Sequence, residues 1–287
     1  GSFERGDAEP SSPPWSVPGL VLTGSTSIWF GDAKANKSAL QRLTAVSLRN
    51  GISSLIPVRE AEPVIWVNAE EPREEHTRQL GNVNAVLGID RTSDLYTIHA
   101  RGMSIFDLSQ RLERAVRETE ARHVFVDSLS RMAQGMKLNE DNTATTLIDS
   151  MSGLPCSVNW IGHTGQENTH RLAGSKHFTN AARLMVRVQS RMSIGGVSPD
   201  LKRGVRAMVT DANGAAPTDP MYWTFEYHRD FGLLKARPAN ADEWPVLTCD
   251  AWVGETQRRE CGRKTWDGVL RSGAVRCSRH RGEEDDA

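Results

Sequence analysis

Residues 27–38 read SIWFGDAKANKS, and this stretch decides the fold of the chain. The first four residues are typical of a buried strand. The next eight, from Gly31 to Ser38, have the spacing of a Walker A phosphate-binding loop, with Asn36 where the second glycine is expected. A helix predicted from about Lys37 completes the order of strand, loop and helix that such a loop requires.

The chemistry of this loop depends on its backbone and on two side chains. Backbone N–H groups surround phosphate oxygens at a helix N-terminus, Lys37 faces the β- and γ-phosphates, and the Ser38 hydroxyl binds Mg²⁺. If position 36 needs a positive φ, a side chain there costs about 1 kcal/mol, and Asn tolerates that backbone better than most residues. A Lys-Ser helix start after an ordinary turn is the alternative interpretation. The predicted nucleotide-binding residues are Gly31, Asp32, Ala33, Lys34, Ala35, Asn36, Lys37, Ser38 and Ala39.

Short apolar strands alternate with helical stretches through most of the chain, which predicts an α/β fold with a mostly parallel sheet. A pair of segments, 204–212 and 221–228, then predicts an antiparallel hairpin that extends the sheet edge. The predicted parallel strands cover residues 27–30, 64–68, 95–100, 123–127, 157–163 and 183–189.

Three further strands carry polar residues where they end. Glu70-Glu71 follows residues 64–68, and a carboxylate there is suited to polarise an attacking water. Asp127 ends an apolar run as a Walker B acid does, opposite the Mg²⁺ ligand Ser38, and His163 ends the next strand within reach of a γ-phosphate. Taken singly, each of these residues is explained as well by a solvated acidic turn or by a hydrogen-bonded histidine. Together they indicate a ligand site at the carboxyl edge of one sheet.

The composition is that of an ordinary globular protein. The chain has 287 residues, a formal net charge of −1 and four cysteines, which excludes a polybasic protein and a disulfide scaffold. The longest uncharged stretch, residues 10–31, contains four prolines, so we expect no membrane association and a cytoplasmic protein. We predict a disordered leader at 1–14, an ATPase domain at 15–235, a linker at 236–248 and a separate tail at 249–287.

The tail combines possible metal ligands with positive charge. A zinc-ribbon-like site is one interpretation and unrelated reduced cysteines are the other. Between Arg258 and Arg281 there are eight basic and two acidic residues, interleaved with Trp266, which suits single-stranded nucleic acid, although a solvated charged tail is as plausible. The candidate Zn²⁺ ligands are Cys249, Cys261, Cys277 and His280.

These motifs together resemble the RecA-like ATPases, and most closely the RepA-like hexameric helicases of phages and plasmids, over residues 15–230. The supporting segments are the phosphate loop, VNAEEP, VFVDSLSRM and WIGHTG. The resemblance implies ATP and Mg²⁺ at a subunit interface, assembly into a ring of about six copies, and DNA as the polymer. It also implies that Glu70 is the catalytic base, Asp127 the Walker B acid and His163 the sensor.

The chain departs from the family pattern at several positions. Asn36 replaces glycine in the loop, and Gln166 follows the HTG triplet where lysine is usual. The family's arginine that enters the neighbouring site has two candidates here, Arg171 and Lys176. We therefore expect an ATPase that moves on or remodels single-stranded DNA in replication or recombination, with slow turnover. The alternative is an accessory or loader protein that binds ATP and DNA without efficient turnover, and the tail is a candidate docking element for other replication proteins.

Overall fold

The structure is a computed structural model in which helices and strands alternate as the sequence predicts. It describes residues 15–89, 95–165, 172–174, 176–192, 200–212, 218–228 and 230–244, and four two-residue strands between 247 and 265. In chain order the elements of the first unit are β1 (Trp15–Val17), β2 (Val21–Leu22), β3 (Thr26–Gly31), α1 (Lys37–Asn50), β4 (Val64–Asn68), α2 (Arg73–Val86), β5 (Tyr96–His99), α3 (Ile105–Thr119), β6 (His123–Asp127), α4 (Leu129–Met132), α5 (Asp141–Ser152), β7 (Ser157–His163), α6 (Lys176–Ala181), β8 (Leu184–Met192), β9 (Asp200–Ala212), β10 (Met221–His228) and β11 (Gly232–Ala239).

One nine-stranded sheet, ordered β11-β10-β9-β8-β3-β7-β6-β4-β5, forms the centre of this unit. From β8 to β5 all neighbouring strands are parallel, whereas β9, β10 and β11 are added antiparallel. The predicted α/β class, the mostly parallel sheet and its antiparallel extension are confirmed. The extension has one strand more than the predicted hairpin, because β11 pairs with β10.

Helices cover both faces of the sheet. Neighbouring side chains of a strand point to opposite faces, so Ile28 and Phe30 of β3 pack into a core with α3 and α5. Trp29 lies on the other face, in a core with Leu40 and Leu43 of α1. Both cores exclude water from β3, which explains why this strand is apolar at successive positions.

The helix ends follow the local signals in the sequence. α1 stops at Gly51, whose φ of 64° gives the left-handed cap that glycine adopts without strain. α3 begins after Ser104, whose hydroxyl accepts a 3.1 Å hydrogen bond from the Asp107 N–H, as in a capping box.

The chain divides into two compact units, Gly1–Ala241 and Asp242–Ala287. The predicted linker, residues 236–248, begins within β11, which continues to Ala239. Among the described residues of the second unit are two antiparallel pairs, β12 (Leu247–Thr248) with β15 (Lys264–Thr265), and β13 (Trp252–Val253) with β14 (Arg259–Glu260). The predicted leader, residues 1–14, lies outside the described residues.

In the described part of the chain, no helix combines the length and the apolar character that a bilayer crossing demands.

Candidate active site

The phosphate loop connects the end of β3, the middle strand of the sheet, to α1. Asn36 directly precedes α1 and has φ 65° and ψ 23°, and Lys34 has φ 63°. The backbone at position 36 is therefore left-handed, the conformation in which Asn is better tolerated than most residues other than glycine. The loop thus keeps its helix N-terminus with asparagine in place of the expected glycine.

At the start of the loop, the neighbouring strand β8 leaves no room for a side chain at Gly31. A Cβ at this position would lie 2.1 Å from the carbonyl oxygen of Val188 in β8. No side chain fits there without moving the backbone of β8. This close approach explains the glycine that opens the motif.

Lys37 is buried at the start of α1 and faces back into its own loop. Its Nζ donates hydrogen bonds to the carbonyl oxygens of Gly31 at 2.8 Å and Asp32 at 2.7 Å. Burial lowers the pKa of Lys37 to about 8, against the opposing effects of Asp127, Asp32 and Glu70. An ammonium group that is poorly hydrated and surrounded by loop carbonyls is suited to exchange them for the oxygens of a phosphate.

Ser38, in the first turn of α1, and Asp127, at the end of β6, lie on the same cavity. Asp127 is only 3% exposed where it lines this cavity. Burial raises the pKa of Asp127 to about 6, and the Arg42 and Ser38 side chains oppose this rise. A hydroxyl beside a buried carboxylate offers two oxygen ligands and a negative charge, which fits Mg²⁺.

The two glutamates after β4 have different surroundings. Glu70 lines the cavity beside the loop, where Ser128 Oγ donates to its Oε2 at 2.8 Å and Arg131 Nε lies 3.3 Å from its Oε1. Glu71 lines the same cavity, but it accepts hydrogen bonds from Arg42 Nη2 at 3.0 Å and from Gln79 Nε2 at 2.9 Å. Glu71 is thus held between α1 and α2, and Glu70, with a side chain 34% exposed against 18% for Glu71, is the better placed of the two to act as a base.

His163 lies at the end of β7, and its Nδ1 is 3.5 Å from Lys37 Nζ. Burial and the charge of Lys37 lower the pKa of His163, whereas Glu70 raises it. The next residue, Thr164, donates from Oγ1 to Asp32 Oδ1 at 2.5 Å. The end of β7 therefore contacts both Lys37 and the side chain of Asp32 in the phosphate loop.

These residues surround a cavity of about 460 Å³, a size that accepts a small cofactor. Six of the predicted nucleotide-binding residues, 34–39, line it together with Glu70, Asp127 and His163. The carbonyl oxygens of Gly31 and Asp32 accept hydrogen bonds from Lys37, and Ala33 is exposed beside them. The structure brings together the strand ends that the sequence predicts to converge.

Other predicted residues are not part of this group. Lys176 begins α6 and is not among the described residues that line the cavity, and Arg171 and Gln166 lie outside the described residues. The four candidate zinc ligands, Cys249, Cys261, Cys277 and His280, also lie outside them. Within the described part of the chain, no three His, Cys, Asp or Glu side chains are grouped as a metal site.

Several contributors to the site are absent from the sequence prediction. Arg42 of α1 is 1% exposed, contacts Glu71 and lies 5.1 Å from the ring centre of Trp66. Tyr227 and Ser190 bind the Asn36 side chain from β10 and β8. The only local signal for Arg42 is a charged residue on the otherwise buried face of a predicted helix. Tyr227 and Ser190 are more than 150 positions away from the loop, and no local pattern points to them.

Comparison with protein families matches residues 2–169 to a family described as an AAA domain. This range is more than half of the 287 residues and contains the loop, Glu70, Asp127 and His163. No curated protein matches the chain significantly. With the phosphate loop at the centre of a mostly parallel sheet, the match shows that the chain belongs to the AAA domain family, a group of P-loop ATPases related to the RecA-like and RepA-like helicases.

Proposed function

We propose that this protein is an oligomeric ATPase of the RepA-like or RecA-like kind, which couples ATP binding and hydrolysis to movement along, or remodelling of, single-stranded DNA in phage or plasmid replication or recombination. The observation that carries the ATPase part is the placement of Lys37, Ser38 and the buried Asp127 on one cavity. These three side chains supply the positive charge and the oxygen ligands that a triphosphate and its metal need.

Each residue has a defined task in this proposal. Lys37 binds the β- and γ-phosphates, and Ser38 and Asp127 hold Mg²⁺, which neutralises charge between those phosphates when bound. Glu70 orients the attacking water and accepts its proton. His163 contacts the γ-phosphate side of the site and responds to its presence.

The DNA and assembly parts of the proposal rest on sequence. The tail segment from Arg258 to Arg281 has a net charge of +6 from eight basic and two acidic residues, and Trp266 offers a surface for base stacking. Arg171 or Lys176 of a neighbouring copy is the proposed group that neutralises the developing charge, which requires a ring or filament. Zn²⁺ bound by the tail is a further prediction, for which metal analysis of the full chain is the test.

A second candidate function is supported by the contacts of Glu70. Both of its carboxylate oxygens are engaged, one by Ser128 and one by Arg131. If these contacts persist with ATP bound, the protein binds nucleotide and DNA as an accessory subunit without efficient turnover. The Arg131→Ala variant distinguishes the two candidate functions. If the Arg131 contact persists and restrains Glu70 when ATP is bound, its removal increases ATP turnover; otherwise turnover does not increase.

Hydrolysis of ATP with and without single-stranded DNA tests the leading proposal. We expect Mg²⁺-dependent turnover that rises several-fold with DNA, and a loss of at least about 100-fold in Lys37→Ala and Asp127→Asn. Mass photometry with ATP and DNA should show a multimer of about six copies. Equal ATP binding and turnover by the wild type and both variants would show that the site is elsewhere.

A further inference from the structure

Three strands on one side of the sheet contact the phosphate loop through their side chains. Ser190 of β8 accepts a 2.9 Å hydrogen bond from Asn36 Nδ2, and the Tyr227 hydroxyl of β10 donates to Asn36 Oδ1 at 3.0 Å. Between these strands, Arg203 of β9 donates from Nη1 to the Lys34 carbonyl oxygen at 3.2 Å. The antiparallel side of the sheet thus reaches both left-handed residues of the loop.

Asn36 is the centre of this contact. Its amide oxygen and amide nitrogen are both used, and they connect β8 with β10, which are separated in the sheet by β9. Tyr227 lines the same cavity as the loop, so the contact borders the space that a nucleotide occupies. The Tyr227 hydroxyl is protonated at neutral pH and can donate to Asn36, and burial raises its pKa further.

Glycine at position 36 has one advantage and two disadvantages. It adopts φ 65° without strain, but it offers no side chain to either strand. The Tyr227 hydroxyl then loses its acceptor in a place with little water, and the loop gains conformations that do not fit phosphate. Loss of the hydrogen bonds should weaken nucleotide binding, whereas relief of the backbone strain should strengthen it. A measurement of nucleotide affinity shows which effect is larger.

We propose that Asn36 is a positioning residue whose side chain ties the phosphate loop to Tyr227 and Ser190 and holds the loop in the shape that receives the phosphates. The inference rests on the proposed ATPase function. It assigns a role to the residue that otherwise is only a departure from the Walker A pattern. It also makes β10 part of the nucleotide site, so that a change at Tyr227 reaches the loop.

A double-mutant cycle on Asn36→Gly and Tyr227→Phe tests this link. Affinity for a fluorescent ATP analogue with Mg²⁺ is measured for both single variants and the double variant, with kcat and KM for ATP. We expect each single variant to bind about fivefold to tenfold more weakly, as loss of one hydrogen bond implies, with kcat changed by less than about twofold. The double variant should bind no more weakly than Asn36→Gly, because both changes remove the same bond.

Three controls complete the experiment. Ser190→Ala removes the second contact of Asn36 and should weaken binding in the same direction. Tyr96→Phe is the matched hydroxyl removal on β5, at the opposite edge of the sheet, and should bind as the wild type does. Circular dichroism melting shows whether each variant is folded, and Tyr227→Phe tests the link by itself if Asn36→Gly does not fold.

Two results would overturn the link, and a third concerns the site itself. Tighter binding or faster turnover in Asn36→Gly would show that asparagine only impairs the loop. Multiplied effects in the double variant would show that the two residues act separately. If the wild type binds ATP no better than Lys37→Ala, the proposed function is wrong and the link has no nucleotide to position.

Discussion

At the scale of single residues, Asp127 is an ionisable group held away from water at the position where a metal would bind. Burial raises its pKa to about 6 from an ordinary value near 3.8. The folded protein therefore binds a proton more tightly than the unfolded chain does, so stability falls as the pH rises from about 4 to above 6. A rise of this size corresponds to a free-energy cost on the order of 3 kcal/mol at neutral pH.

Asp127→Asn should separate the stability of the protein from its activity. The amide has nearly the same shape as the carboxylate and removes the buried charge, so we expect the unliganded variant to be more stable than the wild type by about 1–3 kcal/mol at pH 7. Urea denaturation at pH 7 and pH 5 measures this difference, which should shrink at pH 5. Destabilisation of the variant at pH 7 would contradict the assignment, as would an unchanged Mg²⁺-dependent turnover.

Lys37 predicts a proton linkage to ATP binding. Its lowered pKa of about 8 leaves roughly three-quarters of the side chains neutral at pH 8.5, and a bound phosphate favours the charged form. ATP binding should therefore take up about three-quarters of a proton at pH 8.5 and almost none at pH 6.5, with affinity falling above pH 8. Calorimetry in buffers of different ionisation enthalpy measures the uptake.

Lys37→Arg is the matched control for this linkage, because arginine stays charged throughout the range. Any binding that it retains should show no uptake attributable to position 37. The same uptake in Lys37→Arg and in the wild type would assign the proton to another group.

At the scale of elements, a buried ion pair joins α1 to the turn after β4. Arg42 contacts Glu71 at 3.0 Å and Gln79 at 2.5 Å, and Glu71 N–H donates to Asn68 Oδ1 at 3.0 Å. This network fixes the turn on which Glu70 lies. The position of the proposed base thus depends on a helix that also carries Lys37 and Ser38.

Removing one partner of this pair should be more harmful than replacing both. Arg42→Ala leaves Glu71 without its cation and removes the contact with Trp66, so we expect a loss of about 3 kcal/mol of unfolding free energy. Arg42→Met combined with Glu71→Gln should recover at least half of that loss, because no charge is left unpaired. Urea denaturation of the single and double variants measures both values, and a loss below about 1 kcal/mol in Arg42→Ala would show that the pair is not structural.

At the scale of the whole molecule, local patterns predict the parallel core better than its edge. The strands that end at Gly31, Asp127 and His163 each contain adjacent apolar residues and alternate with helices, so their place in a buried parallel sheet follows from the sequence. β11 has no such pattern: its burial is irregular and it contains Pro238, which favours an edge. The sequence therefore predicts a linker over residues 236–248, although residues 236–239 belong to β11.

The candidate site likewise has residues that the sequence predicts and residues that it does not. Lys37, Ser38 and Asp127 occur at spacings that their chemistry requires, and the α/β pattern predicts that they meet. The contacts of Asn36 with Ser190 and Tyr227 depend on how β8 and β10 lie beside the loop, which is set by tertiary packing and not by any nearby residues. The role of Arg42 cannot be predicted from the sequence for a related reason. Its charge is tolerated in the core only because Glu71 lies beside it.

Equilibrium binding of a non-hydrolysable ATP analogue, measured as Mg²⁺ is titrated, tests the central claim most directly. We predict that Mg²⁺ strengthens binding to the wild type, that Ser38→Ala and Asp127→Asn bind without this Mg²⁺ effect, and that Lys37→Ala binds weakly at every Mg²⁺ concentration. A full Mg²⁺ effect in both Ser38→Ala and Asp127→Asn would contradict the account, because the metal would then be held by other residues.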